Sequence, residues 1–147
     1  MTQQPPRAHN LRKGRYSEPS RLYLVTAVTR GRRPVFADLQ SARALINILR
    51  NEDRRNQVQT WAYVVMPDHF HWLLQLNDET LSKVVGRVKS LSSRQLGHSL
   101  WQDGFHDRAV REEDDLKAMA RYVIANPLRA GLVESIGEYS HWDAVWV

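Results

Sequence analysis

The chain has no cysteine among its 147 residues. That excludes a disulfide framework and any thiolate metal site, so a metal here must be held by histidine, carboxylate, amide or hydroxyl. Long apolar runs are missing too. None approaches the roughly 20 residues of a membrane-spanning helix, and the N-terminus shows no signal-peptide core. No internal repeat and no second-domain linker interrupts the sequence. Acid is scarce at one end: residues 1 to 33 hold eight Lys/Arg against the one acid Glu18, a net of +7, which leaves the remainder at −2 within a total of +5. A basic segment beside a near-neutral body is the footprint of a polyanionic partner, most often nucleic acid, although a solubilising tail has the same composition. What is present is a hydrophobic content of 42%, enough for one core. These features predict an intracellular protein with a basic arm over residues 1–20 and a single domain over residues 21–147.

Hydrophobic periodicity orders the elements. The Pro-, Arg- and Ser-rich residues 1–20 read as an arm, mobile or ordered by its ligand. RLYLVTAVT (21–29) reads as a first strand and RGRRP (30–34) as a basic loop. From Asp38, a candidate N-cap, to about Asn56 the period turns helical, with Ala42, Leu45, Ile46 and Leu49 on one face and Arg43, Asn47, Arg50 and Arg54 on the other. QTWAYVVM (59–66) and residues 69–77 read as a strand hairpin across the turn MPD. Residues 79–96 read as a second helix, with Leu81, Val84, Val85, Val88 and Leu91 inward and Lys83, Arg87, Ser90 and Arg94 outward. SLWQDGFHDR (99–108) suggests a short fourth strand with a turn at Asp103-Gly104. EEDDLKAMARYVIAN (112–126) reads as a third helix, with acids at its N-terminus and Pro127 as its stop. Residues 128–147 read as loop. The order β-α-β-β-α-β and then a helix predicts an α+β fold of the ferredoxin-like, RRM-like split βαβ kind. It has an antiparallel sheet with helices on one face, plus a C-terminal tyrosine-bearing helix. The other face is predicted to stay open, a platform suited to nucleic acid.

The stretch VVMPDHFHWLLQL (64–76) carries the first candidate chemistry. His69 and His71 share one face of a strand, about 6 to 7 Å apart at Cα, while Phe70 between them points into the core. Two imidazoles so placed can aim at one ion, and with an oxygen ligand they suit Mg²⁺, Mn²⁺ or Zn²⁺. Two surface histidines on a half-buried strand produce the same pattern. Asp68 next to them fits either a partner for a histidine or a turn residue. The second candidate is Tyr122. On the third helix Leu116, Met119, Ala120, Val123 and Ile124 define the apolar face, and Tyr122 sits off its centre with Asn126 one turn on. A tyrosine hydroxyl is a possible nucleophile, but its usual pKa of about 10 means it needs a base or a polarised target. A half-buried helix tyrosine is the plain alternative. Tyr23 and Tyr63 fall in strands, Tyr16 and Tyr139 in polar flanks. Nothing in the spacing of His106 demands a role, and His9, His98 and His141 read as surface residues. Trp101 and Trp142 fit either base stacking or packing.

Together these segments resemble a known family. His69-Phe70-His71 matches the histidine-hydrophobe-histidine motif of the HUH endonucleases. ARYVIANPLRAGLV (120–133) resembles the tyrosine-helix segment of the single-tyrosine HUH transposases. KGRYSEPSRLYLVTAVTRGRRPVF (13–36) and WQDGFHDRAVREEDDL (101–116) resemble the REP-associated tyrosine transposases. The resemblance runs from about residue 12 to residue 143. It implies that His69 and His71, with Asn126, hold Mg²⁺ or Mn²⁺, and that Tyr122 attacks single-stranded DNA to leave a 5′-phosphotyrosine and a free 3′-OH. It implies REP hairpins (repetitive extragenic palindromes) as the DNA. Arg12, Lys13, Arg15, Arg21, Arg30, Arg32 and Arg33 are then expected along phosphates and bases, joined by Lys83 and Arg87. It further implies a bacterial, cytoplasmic, nucleoid-associated protein working as a monomer or homodimer, with monomer preferred. Asn126 precedes Pro127, which tends to turn its backbone out of the helix. The competing functions are a non-catalytic nucleic-acid binder on the same fold and a metal hydrolase of small molecules. The basic arm and the lack of a carboxylate-rich ligand set speak against the hydrolase.

Overall fold

A computed structural model describes residues 21–97, 99–111, 113–131 and 141–144. The predicted arm, with Arg12, Lys13 and Arg15, lies outside the described residues, as do His9, Tyr16, His98 and Tyr139. The elements in chain order are β1 (Leu22–Val28), two 3-10 turns (Arg30–Arg32 and Val35–Ala37), α1 (Leu39–Arg54), β2 (Val58–Met66), β3 (His69–Leu76) and α2 (Leu81–Leu96). They continue with β4 (His106–Val110), α3 (Glu113–Ile124), the single turn α4 (Asn126–Arg129) and β5 (Trp142–Ala144). The sheet order is β4-β1-β3-β2-β5, with every neighbouring pair antiparallel. β1 and β2 flank β3 and therefore run the same way, which is the split βαβ arrangement expected from the element order. No helix among the described residues is long and apolar enough to cross a membrane.

The helix boundaries have local causes. Asp38 caps α1 by accepting from the Ser41 N–H at 3.0 Å, and Thr80 caps α2 by accepting from the Lys83 N–H at 3.2 Å. Gly97, at φ 86°, closes α2 in the left-handed conformation. α3 stops at Ile124, and Pro127 enters α4 in its first turn, where a missing N–H costs nothing.

Two cores lie on opposite sides of the sheet. Phe70, Trp72, Leu74 and Leu76 of β3 pack with Val25, Leu45 and Leu49 and with Val84, Val85 and Val88 beneath α1 and α2. Leu73 packs with Leu24, Ala62, Val64 and Met66 beneath Leu116, Ala120, Val123 and Ile124 of α3. This corrects the expectation that the histidine face is left uncovered: the third helix lies on it. The reason is visible in β1 and β2, where LYLVTAV and AYVVM are apolar at both parities, the pattern of strands buried on both faces.

Other expectations also change. β4 begins at His106, later than the segment 99–108 suggests, and Trp101 forms only an isolated bridge with Thr29. The Trp101 ring stacks on Phe36 at 5.5 Å and meets Phe70 edge-on at 5.4 Å, while its Nε1 donates to buried Ser92 Oγ at 2.8 Å. It is a packing anchor, not a base platform. Lys89 Nζ donates to the carbonyls of Gln102 and Gly104 at 2.8 and 2.6 Å, which fixes the loop that delivers β4. The tail read as loop supplies β5, paired with β2 through Ala62 and Val64. His141 is half-buried, and its carbonyl accepts from the Val65 N–H at 2.8 Å.

Arg87, expected on a basic outer stripe, is tied into an ion network instead. Its Nε and Nη2 donate to Glu52 at 2.9 and 2.7 Å, and its guanidinium also grips Glu79. The Glu52 side chain is 1% exposed. Glu52 foremost, then Glu79, raises the Arg87 pKa above its ordinary value. An unpaired carboxylate at that depth is costly. Arg87→Ala is therefore expected to lower stability by about 3 kcal/mol in urea unfolding. Replacing both partners with apolar residues, Arg87→Met with Glu52→Leu, is expected to recover most of that loss.

Candidate active site

Strand register assembles the site. The β1–β3 pairing sets Thr26 opposite His71 and Val28 opposite His69, and the β1–β4 pairing sets His106 opposite Thr26 and Arg108 opposite Leu24. Directly opposed residues share a face. One row across the sheet therefore reads His71, Thr26, His106, and the next reads Leu73, Leu24, Arg108. Both rows lie on the side covered by α3.

Each histidine is held at Nδ1. The His71 Nδ1 lies 2.7 Å from Thr26 Oγ1, and the His69 Nδ1 lies 2.7 Å from Asp68 Oδ1. Asp68 Oδ2 in turn accepts from Arg32 Nη1 at 3.0 Å. Partial burial pushes the Asp68 carboxyl up, but hydrogen bonds and charge from His69 and Arg32 outweigh it and hold it below the ordinary carboxylate range. The turn itself is clamped. The Asp68 carbonyl accepts from the N–H of Thr29 at 2.9 Å and from its Oγ1 at 3.2 Å, and the Pro67 carbonyl accepts from the Phe36 N–H at 2.9 Å. The two imidazoles stand edge to face, 5.0 Å between centroids.

Tyr122 comes to this pair from α3. Burial of Leu116, Ala120, Val123 and Ile124 sets the helix rotation, and Tyr122, off that face, stays 47% exposed. Its ring centroid lies 5.9 Å from that of His71, which is 9% exposed. The two rings border a cleft of about 500 Å³ whose walls also include Thr26, Leu24, His106, Arg108 and Met119.

The donor chemistry fits a divalent cation. In the tautomer that donates Nδ1–H to its oxygen neighbour, each imidazole leaves Nε2 as the nitrogen that a metal would use, and such oxygen partners commonly fix the tautomer of ligating histidines. Among the described residues no group of three His, Cys, Asp or Glu is poised to hold a metal. Further positions on an ion bound here would fall to amide, water or phosphate oxygen. Asn126, the expected third ligand, does not line the cleft; its Nδ2 donates back to the carbonyls of Tyr122 and Val123 at 3.0 and 3.3 Å.

The expected DNA-contacting residues are dispersed. Arg30 lies 3.8 Å from the Asp103 carboxylate, and Arg33 donates to the carbonyls of Ser99 and Arg30 at 2.9 and 3.2 Å. Arg32 supports Asp68. The Arg21 backbone carbonyl accepts from the Leu76 N–H at 3.0 Å. Lys83 and Arg87 belong to α2, across the sheet from the histidines. His106 and Arg108 line the cleft although nothing in their spacing along the sequence demands a role. Their signal was present as alternation in HDRAV, where His106, Arg108 and the buried Val110 share a parity.

Comparison with known proteins places the chain in a family and its fold among solved structures. A family model described as IS200-like transposase matches residues 20–126. A REP-associated tyrosine transposase of Escherichia coli strain K12 is 28% identical over 99 residues, which are 65% of this chain and 58% of that protein. The match thus spans little more than half the length of that relative. Among solved structures, a REP-associated tyrosine transposase bound to a REP hairpin superposes with a TM-score of 0.78 at 23% identity, over 87% of this chain and 79% of that one. That likeness carries the fold.

The seating of α3 is open to direct test. Val123 is fully buried under the helix. Val123→Ala is expected to cost about 2 kcal/mol in urea unfolding. Amide exchange in residues 116–124 is expected to accelerate more than exchange across β1 and β3.

Proposed function

We propose, from the premise that this chain belongs to the IS200-like transposase family, that it is a metal-dependent endonuclease and strand transferase for single-stranded DNA, acting on REP-type hairpins. The observation that carries the reading is the meeting of Tyr122 with His71, 5.9 Å ring to ring, over a cleft beside two imidazoles that are each anchored at Nδ1. A pure binder needs none of these three side chains. The REP-associated relative and the hairpin-bound structural neighbour support the choice of DNA.

His69 and His71 would hold a divalent cation such as Mg²⁺ or Mn²⁺, which when bound withdraws charge from the scissile phosphate and so assists attack by a weak nucleophile. The Tyr122 hydroxyl attacks phosphorus and gives up its proton. The bond from phosphorus to the 3′ oxygen breaks, and that oxygen leaves as a 3′-OH after taking up a proton. The 5′ phosphate stays on Tyr122. One phosphoester replaces another, so attack by a 3′-OH reverses the step without ATP. Thr26 and Asp68 orient the imidazoles, and exposure of the Tyr122 ring keeps it accessible to a strand lying in the cleft.

The nucleophile and both histidines meet within one chain, which supports action by a monomer. With a single-stranded REP hairpin and Mn²⁺, the wild-type chain is expected to form a protein–DNA adduct that survives denaturing gels. Tyr122→Phe abolishes it while hairpin binding persists. Mixing Tyr122→Phe with the His69→Ala/His71→Ala double variant is expected not to restore the adduct; restoration would mean that the tyrosine acts in a partner chain. Thr26→Val removes the oxygen beside His71 Nδ1 and is expected to weaken Mn²⁺ binding by about 10- to 100-fold in calorimetry.

A further inference from the structure

The arginines of the basic loop already have partners in carboxylates and carbonyls, whereas among the described residues two basic side chains on the cleft wall have none. His106 and Arg108 stand at i and i+2 on β4, are both exposed, and line the cleft that His71 and Tyr122 share. Neither side chain makes a hydrogen bond or ion pair with another described residue. Their aim is set by the sheet: Thr26 lies directly across from His106, and Leu24 from Arg108. The same parity takes in Val110, which is buried against α3, while Ala109 of the other parity packs into the core beneath α1 and α2.

Geometry separates this pair from the imidazoles at His69 and His71. Thr26 on β1 stands between His71 and His106, so the two histidines are two strand spacings apart, roughly 10 Å at Cα. Leu24 and Leu73 form an apolar floor in the neighbouring row, and Tyr122 and Met119 face them from α3. The cleft thus has two polar ends, His71 with Tyr122 at one and Arg108 with His106, beside Asp107, at the other. A guanidinium presents paired N–H donors that match phosphate oxygens.

We propose that His106 and Arg108 form a phosphate subsite, which grips the DNA backbone next to the phosphodiester placed between His71 and Tyr122. This rests on the nuclease reading and assigns a course to its substrate: the strand runs across β3, β1 and β4, and β4 fixes its register. Arg108 is a positioning residue here, because it holds a phosphate that does not react.

The test separates backbone grip from chemistry. The full-length chain is titrated with a fluorescent oligothymidylate in the presence of chelator, and affinity is followed by anisotropy over a range of salt concentrations. On a single strand, removing one cation–phosphate pairing flattens the slope of log K against log salt by about 0.7. Arg108→Gln is expected to flatten the slope by about that amount, and Arg108→Lys to restore it. Both changes lie at an exposed edge-strand position, and circular dichroism checks that the fold is kept. His106→Ala is expected to weaken binding further in the Arg108→Lys background. A slope for Arg108→Gln equal to that of wild type overturns the subsite, whether or not the hairpin adduct forms. A flattened slope together with a wild-type chain that forms no adduct in Mn²⁺ supports the subsite and removes the nuclease reading.

Discussion

The register of β3 between β1 and β2 is the constraint on which everything else in this molecule depends. Side chains alternate along the strand, so the pairing of Thr26 with His71 decides at once which residues enter which core. In this register Phe70, Trp72, Leu74 and Leu76 fill the space beneath α1 and α2, and His69, His71 and Leu73 face α3. A slip of one residue would drive both imidazoles into a dry core and bring Trp72 out beneath the tyrosine helix. Burial of four large side chains against two helices resists that slip, with roughly 1.5 to 3 kcal/mol at stake for each. The hydrophobic core therefore aims the histidines, although none of its members touches a ligand.

Polar contacts refine what register sets. The Asp68 turn is held by Thr29 from below and by Arg32 from outside, and Asp68 passes that constraint to His69. Thr26 does the same for His71 from the neighbouring strand. Both imidazoles are thus fixed by short, local chains of contact before any ligand arrives, the condition under which bound geometry costs little reorganisation. Arg32 shows that charge in the sequence does not reveal a local partner. In the basic run it resembles a phosphate contact, and in the fold it supports a carboxylate one residue away from a histidine.

Much of this was legible in the chain. Period-two alternation placed His69 and His71 on one face with Phe70 on the other, and helical periodicity placed Tyr122 off the apolar face of α3, as found. The β-α-β-β-α-β order specified four of the sheet's five strands, and β5 came from the tail that reads as loop. Three further things were not legible, for physical reasons. The cover on the histidine face depends on α3 folding back, a long-range choice that apolar residues of both parities in β1 and β2 hinted at without specifying the partner. The pairing of Arg87 with Glu52 spans 35 residues and joins two helix faces that each look solvated when read alone. The convergence of His106 and Arg108 on the cleft depends on β4 pairing with β1, a contact between strands at opposite ends of the domain sequence.

The most direct measurement is the position of the covalent link. The chain is incubated with a single-stranded REP hairpin and Mn²⁺, the adduct is digested with protease and nuclease, and the nucleotide-bearing peptide is sequenced by mass spectrometry. The account predicts a phosphodiester to the phenol oxygen of Tyr122. A link to Tyr16, Tyr23, Tyr63 or Tyr139, or a hairpin that binds tightly and leaves every tyrosine unmodified, would contradict it.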